Sequence, residues 1–112
     1  IELSASVVHP IGYLEMFWLL SNCKLVLTDS GGVQKEAYFA GKSCITMRDE
    51  TEWPELVQIG ANYLSGAKES KIIHLAKECF GKNIAVDDNL FGGGLASFNI
   101  AKTIKMESEN AI

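Results

Sequence analysis

A serine followed by two glycines stands at the start of a predicted helix, directly after a short apolar strand. Ser30, Gly31 and Gly32 lie between the predicted strand at 24–27 and the helical pattern at 33–40. The first turn of a helix has unpaired N–H groups and a partial positive charge. Glycines leave those N–H groups open to an anion, and the Ser30 hydroxyl can donate one more hydrogen bond. The stretch therefore indicates a phosphate or diphosphate site, although the same residues also suit a simple helix N-cap with a tight turn.

An acidic residue follows one helical turn later. Glu36 comes four residues after Gly32, so the two lie on one face of the predicted helix. A carboxylate in direct contact with a diphosphate would repel it, but one turn further along it can accept hydrogen bonds from a ribose 2′,3′-diol. The acidic residue of dinucleotide-binding folds has the same task. We therefore expect Glu36 to contact the ribose of a nucleotide whose phosphates lie at the start of the helix.

The elements that position these residues alternate between strand and helix. Apolar runs bounded by turn residues predict strands, and apolar residues at helical spacing predict helices. Short apolar strands that alternate with helices predict an α/β fold with a Rossmann-like, doubly wound parallel sheet, whose ligand lies beyond the carboxyl ends of the strands. The predicted strands are 3–8, 24–27, 43–47 and Asn62–Leu64; the predicted helices are 13–21, 33–40, 52–59, 70–80 and 95–106, with a loop at 87–94 and a frayed end at 107–112.

Composition limits the classes of function. The chain has 112 residues, 47% hydrophobic and 21% charged, with a formal net charge of −4, which suits one soluble domain and argues against a nucleic-acid or anionic-membrane surface. Its three cysteines have no C-x-x-C spacing, so we expect buried thiols in a reducing compartment, the cytoplasm, rather than a disulfide or zinc framework. No apolar run is long enough to span a bilayer. Because the chain begins at Ile1, in extended-looking sequence, we expect it to be cut from something longer.

Four motifs resemble the carboxy-terminal domain of non-hydrolysing UDP-N-acetylglucosamine 2-epimerases. The resemblance covers almost the whole chain, and its two central motifs are long and specific. It implies that residues 1–112 are a UDP-binding fragment of the carboxy-terminal domain in a two-domain GT-B fold, whose active site lies in the cleft between the domains. The similar segments are 27–37 (Leu-Thr-Asp-Ser-Gly-Gly-Val-Gln-Lys-Glu-Ala), 47–55 (Met-Arg-Asp-Glu-Thr-Glu-Trp-Pro-Glu), 10–16 and 90–96.

The resemblance also implies roles for individual residues. Ser30, Gly31 and Gly32 would contact the diphosphate of UDP, Glu36 the ribose, and the segment that ends at Met16 the uracil. In the family, a proton leaves C2 of the sugar, UDP is eliminated to give a glycal, and UDP adds back with C2 inverted. No cofactor or metal is needed. The acids and bases come mainly from the first domain, so no catalytic residue is expected in this chain. A homodimeric full-length protein and a place in polysaccharide biosynthesis are further implications.

Some positions depart from the family pattern. Trp53 stands where one well-known branch has a basic residue, which puts a phosphate contact from that position in doubt, and Gly93 stands where relatives often carry an acidic one. We expect Arg48 to give structural or cleft-facing support, paired with an acidic neighbour.

Epimerases of UDP-diacetamido-uronic acids look similar in this region. The alternatives to an epimerase are the nucleotide-binding domain of a UDP-sugar glycosyltransferase and a non-enzymatic α/β module in which Ser-Gly-Gly is only a cap.

Overall fold

The computed structural model describes residues 4–111 of the chain, and eight helices and strands lie within that range. They alternate as the sequence predicts, with boundaries within two residues of the predicted ones for most elements. They are α1 (Tyr13–Asn22), β1 (Val26–Thr28), α2 (Gly31–Phe39), β2 (Cys44–Thr46), α3 (Pro54–Gln58), β3 (Asn62–Leu64), α4 (Glu69–Cys79) and α5 (Ala96–Asn110).

The three strands form a parallel sheet in the order β1-β2-β3. The register pairs Thr28 with Thr46 and Thr46 with Leu64, so the last residues of all three strands lie side by side. The loops that follow these residues therefore leave the sheet at one edge. The α/β class with a parallel sheet is confirmed, and the sheet presents its carboxyl ends together, where such folds bind their ligands.

Helices cover both faces of the sheet. On one face, Leu20 of α1 and Ala37 of α2 pack with Val26 and Cys44 of the strands in a buried cluster. Tyr63 alternates with Asn62 along β3 and points to the opposite face, where burial, and after it the nearby Cys79 of α4, raises the pKa of its hydroxyl. The central strand β2 is buried along its whole length, which explains its continuous apolar and small-residue sequence.

The loop at 87–94 is held against α2. The buried Tyr38 hydroxyl accepts a hydrogen bond from the Asp87 N–H at 2.6 Å and donates one to the Asp87 carbonyl oxygen at 3.1 Å. Further along the loop, Phe91 packs edge-on against Tyr38 and Trp53. This attachment places an aromatic side chain of a distant loop beside the helix that begins with Gly31.

Two predictions at the ends of the chain were wrong. The strand predicted at 3–8 does not form at 4–8, where the chain pairs with no strand among the described residues and Val7 is 91% exposed; Leu3 lies outside the described residues. The last helix runs to Asn110 instead of ending at 106, so 107–110 is regular helix, and Ile112 lies outside the described range. None of the residues of α5 is buried, so its apolar side chains contribute nothing to the core around the sheet.

Candidate functional site

The candidate site begins where β1 ends and α2 starts, at the carboxyl edge of the sheet. Ser30 is the N-cap of α2, and its Oγ accepts a hydrogen bond from the Val33 N–H at 3.5 Å. Its own N–H donates to Thr28 Oγ1 at 3.0 Å. A serine hydroxyl that accepts one hydrogen bond still has its hydrogen to donate. The capping role and a role in binding an anion therefore use different parts of the same group and are compatible.

The two glycines that follow differ in what surrounds them. Both lie in the first turn of α2, where backbone N–H groups have no acceptor within the helix. A Cβ atom on Gly31 would meet the Glu52 carboxylate at 3.1 Å, whereas a Cβ on Gly32 would meet nothing within 4 Å. Packing within the described chain therefore gives no reason for glycine at position 32. The open space outside Gly32 is what an approaching anion requires.

A charged pair lies beside this helix start. Arg48 follows β2 and binds Glu52 with both of its terminal nitrogens, Nη1 to Oε2 at 3.1 Å and Nη2 to Oε1 at 2.8 Å. The hydrogen bond raises the pKa of Arg48 and lowers the pKa of the Glu52 carboxyl, and the nearby charge of Asp29 adds to the effect on Arg48. The expected pairing of Arg48 with an acidic neighbour is confirmed. The pair places one positive and one negative charge next to Gly31.

Glu36 and Met16 lie on two neighbouring helices. Glu36 is half-buried in α2, one turn after Gly32, and forms no salt bridge with any residue in 4–111. Met16 is half-buried in α1 and packs against the cluster that contains Leu20 and Ala37. The structure thus puts Glu36 on the same helix as the glycines, as the spacing predicts. The contacts of Met16, Ser30, Gly31, Gly32 and Glu36 with a nucleotide stay predictions.

A buried glutamine, which the sequence analysis did not single out, connects the helix start to the sheet. Gln34 is fully buried, and its Oε1 accepts hydrogen bonds from the Thr51 hydroxyl and, at 2.9 Å, from Asn62 Nδ2. Its Nε2 donates to the Ser30 carbonyl oxygen at 3.2 Å. The signal was present in the sequence, because positions 34, 37 and 38 share the buried face of α2 and only position 34 carries an amide.

Trp53 is the second residue whose role the sequence did not reveal. Its indole Nε1–H donates a hydrogen bond of 2.8 Å to the Gly31 carbonyl oxygen. Its ring packs edge-on against Phe91, with 5.8 Å between ring centroids. The Lys35 ammonium lies 4.6 Å from the Trp53 ring centroid and 4.2 Å from that of Phe91. The chain thus has at position 53 a side chain that contacts the backbone of α2.

The described part of the chain has neither a cluster of metal-ligating side chains nor a helix that could span a membrane. Between residues 4 and 111, no three or more His, Cys, Asp or Glu side chains are placed to hold a metal ion. In the same range, no helix is both long and apolar enough to cross a membrane. Cys44 and Cys79 are buried, as expected, while Cys23 is half-buried.

Comparisons with known proteins show the family of the chain. Residues 2–105 match the family model described as UDP-N-acetylglucosamine 2-epimerase. The chain is 57% identical, over 102 residues, to the UDP-2,3-diacetamido-2,3-dideoxy-D-glucuronate 2-epimerase of Pseudomonas aeruginosa, and this match covers 91% of the chain and 29% of the relative. It is 42% identical to the UDP-N-acetylglucosamine 2-epimerase of Methanocaldococcus jannaschii, over 88% of the chain and 26% of the relative.

Solved structures show the same family. The crystal structure of the M. jannaschii enzyme in complex with UDP-GlcNAc and UDP superposes with a TM-score of 0.80 at 41% identity, covering 88% of this chain and 27% of that one. The Neisseria meningitidis enzyme bound to UDP-GlcNAc gives 0.70 at 34% identity, over 88% of this chain and 28% of that one. The architecture is thus the Rossmann-like part of a GT-B fold, and the chain spans less than a third of the length of these relatives. Because the family model matches nearly the whole chain, this protein belongs to the UDP-N-acetylglucosamine 2-epimerase family.

Proposed function

We propose that residues 1–112 are the UDP-binding part of the carboxy-terminal domain of a two-domain, non-hydrolysing UDP-sugar 2-epimerase. The observation that carries the proposal is the start of α2. Two glycine N–H groups stand there without helical acceptors, the space outside Gly32 is open, and Glu36 follows one turn later. A helix N-terminus of this kind favours a diphosphate. The M. jannaschii relative, crystallised with UDP-GlcNAc and UDP, supports UDP as the occupant.

Each site residue has a task in this proposal. Ser30, Gly31 and Gly32 donate hydrogen bonds to the diphosphate, and Glu36 accepts hydrogen bonds from the ribose hydroxyls. Met16 lies beside the uracil. During the reaction a general base of the first domain takes the proton from C2 of the sugar. The electrons of that C–H bond form the C1–C2 double bond, and the C1–O bond breaks with departure of UDP. Negative charge then grows on the diphosphate, and fixed donors at the helix start stabilise it.

The sugar is the second part of the proposal. The first candidate is UDP-N-acetylglucosamine, and the alternative is a UDP-diacetamido-uronic acid. The 57% identity to the P. aeruginosa enzyme, against 42% to the M. jannaschii enzyme, favours the diacetamido-uronic acid. Family membership favours both over a glycosyltransferase.

The cellular setting follows from the family and from the cysteines. We propose that the full-length protein acts in the cytoplasm, as a homodimer, on precursors for polysaccharide biosynthesis. Three cysteines without paired spacing support a reducing compartment.

The reaction can be tested with the full-length protein in D2O. Each of the two UDP-sugars is incubated with the enzyme, and proton NMR follows the C2 signal of the sugar. We expect an epimer inverted at C2 and one deuterium at C2 in the product, because the proton that leaves is replaced from solvent. The 112-residue chain alone serves as the control and should give no exchange. Tight binding of UDP without any C2 exchange in either sugar would contradict the epimerase and favour a glycosyltransferase.

A further inference from the structure

Side chains fix the first two peptide groups of α2 from outside the helix backbone. Gln34 Nε2 donates to the Ser30 carbonyl oxygen at 3.2 Å, and Trp53 Nε1 donates to the Gly31 carbonyl oxygen at 2.8 Å. In a planar trans peptide, the carbonyl of one residue and the N–H of the next point in opposite directions. Holding the Ser30 carbonyl therefore fixes the direction of the Gly31 N–H, and holding the Gly31 carbonyl fixes that of the Gly32 N–H.

The two donors are themselves held by other elements. Thr51 donates its hydroxyl to Gln34 Oε1, and its Oγ1 accepts the backbone N–H of Trp53 at 3.0 Å. Asn62 of β3 donates to the same Gln34 oxygen at 2.9 Å. Thr51 therefore joins both donors in one network, which connects the helix start to the sheet. Glycines have the least restricted backbones, and a network of this kind removes the freedom that they would otherwise have.

Trp53 adds a packing restraint to its hydrogen bond. Its ring is held edge-on by Phe91, and the Lys35 ammonium lies close to both rings. Rotation of the indole away from Gly31 would break these contacts together. The indole N–H is thus a rigid donor aimed at one carbonyl of the backbone.

We propose that Gln34 and Trp53 are positioning residues that aim the Gly31 and Gly32 N–H groups at the diphosphate. The inference rests on the proposed function of this site. Trp53 acts through the Gly31 carbonyl and carries no charge to the phosphates. Because the Gly31 carbonyl that Trp53 holds belongs to the same peptide group as the Gly32 N–H, loss of the Trp53 donor affects ligands that have phosphates and leaves contacts with the nucleoside unchanged.

The test compares UDP with uridine, which has no phosphate, as ligands of the full-length protein. Trp53→Phe keeps a ring against Phe91 and Lys35 but removes the donor to Gly31. Trp18→Phe is the matched control, because Trp18 is 64% exposed on α1 and makes no hydrogen bond to α2 among the described residues. Dissociation constants come from calorimetry for UDP and from NMR titration for uridine, with thermal melting to verify folding.

We expect Trp53→Phe to weaken UDP binding about tenfold, the effect of losing one hydrogen bond from the Gly32 N–H to the diphosphate, and to change uridine binding less than about twofold. The control variant should bind both ligands as wild type does. Equal losses for UDP and uridine would show a general structural role and overturn the inference, as would unchanged UDP binding. If wild type itself has no preference for UDP over uridine, the proposed function fails.

A second substitution keeps the test decisive if phenylalanine does not fold at position 53. The benzothiophene analogue of tryptophan, incorporated there, has sulfur in place of the indole N–H and nearly the same shape. The same selective loss of UDP affinity is expected. Wild-type affinity for UDP in this variant would contradict the positioning role of Trp53.

Discussion

Asn62 in β3 donates a hydrogen bond of 2.9 Å from its Nδ2 to Oε1 of Gln34 in α2, and both side chains are buried. A buried donor without an acceptor costs more than the hydrogen bond itself contributes. Asn62 is satisfied on its other side as well, because its Oδ1 accepts the Thr46 hydroxyl at 2.7 Å. The pair therefore fixes the distance between the helix that carries the candidate site and the strand beside it.

Loss of the Gln34 amide should destabilise the fold. Gln34→Met has a similar volume but leaves the Thr51 hydroxyl and Asn62 Nδ2 without their acceptor. We expect the free energy of unfolding to fall by about 3 kcal/mol, as for other broken buried polar networks. Urea denaturation measures this change. Gln58→Met, at an exposed position of α3, is the matched control and should change the stability by less than about 0.5 kcal/mol. Equal effects of the two substitutions would contradict the network.

Most of the fold could be predicted from the sequence because its signals are local. The strand patterns at 24–27 and 43–47 and the helical spacing between them indicate the order of β1, α2 and β2 without any knowledge of distant contacts. The strand predicted at 3–8 depended on a partner strand, which residues 4–8 do not have in the described chain. Strand formation needs a hydrogen-bonded neighbour, and a pattern within one segment cannot supply it.

The positions of the candidate site residues along α2 were predictable from the sequence, but the side-chain contacts that hold the start of α2 were not. Ser30, Gly31, Gly32 and Glu36 occupy one short stretch, so their arrangement follows from helix geometry alone. The hydrogen bond from Trp53 to Gly31 joins residues that are 22 positions apart, and its existence depends on how the loop after β2 folds over α2. Long-range contacts of this kind are not encoded in spacing.

Glu36 should contribute the preference for a ribose with a 2′-hydroxyl. In the full-length protein, wild type is expected to bind UDP more tightly than 2′-deoxy-UDP, because the carboxylate accepts a hydrogen bond from the 2′-hydroxyl. Glu36→Ala should weaken UDP binding by about tenfold or more and remove most of that preference, with the melting temperature unchanged. Glu55→Ala, at an exposed position of α3, serves as the control. A preference that survives in Glu36→Ala would remove Glu36 from the ribose role.

The buried Cys44 thiol should make the free energy of unfolding fall at alkaline pH. Burial raises the pKa of its thiol from 9.0 to about 11. The folded state therefore keeps the proton between these values while the unfolded thiol loses it. The contribution of the protonated Cys44 thiol to the free energy of unfolding is complete below pH 9. The free energy of unfolding should then fall by about 1.4 kcal/mol per pH unit as the pH rises from 9 towards 11. Urea denaturation of wild type and Cys44→Ala from pH 8 to 11 isolates the effect. Parallel stability curves of the two proteins would contradict the shifted pKa.

The most direct test of the diphosphate site is Gly32→Ala in the full-length protein, titrated with UDP. A Cβ at this position meets no atom of the described chain within 4 Å, and alanine favours a helix over glycine by up to about 1 kcal/mol. Ser70→Ala, in the first turn of α4, is the matched control. We expect Gly32→Ala to melt at the wild-type temperature or above it and to bind UDP at least about tenfold more weakly. Wild-type affinity for UDP in this variant would contradict a diphosphate at the start of α2.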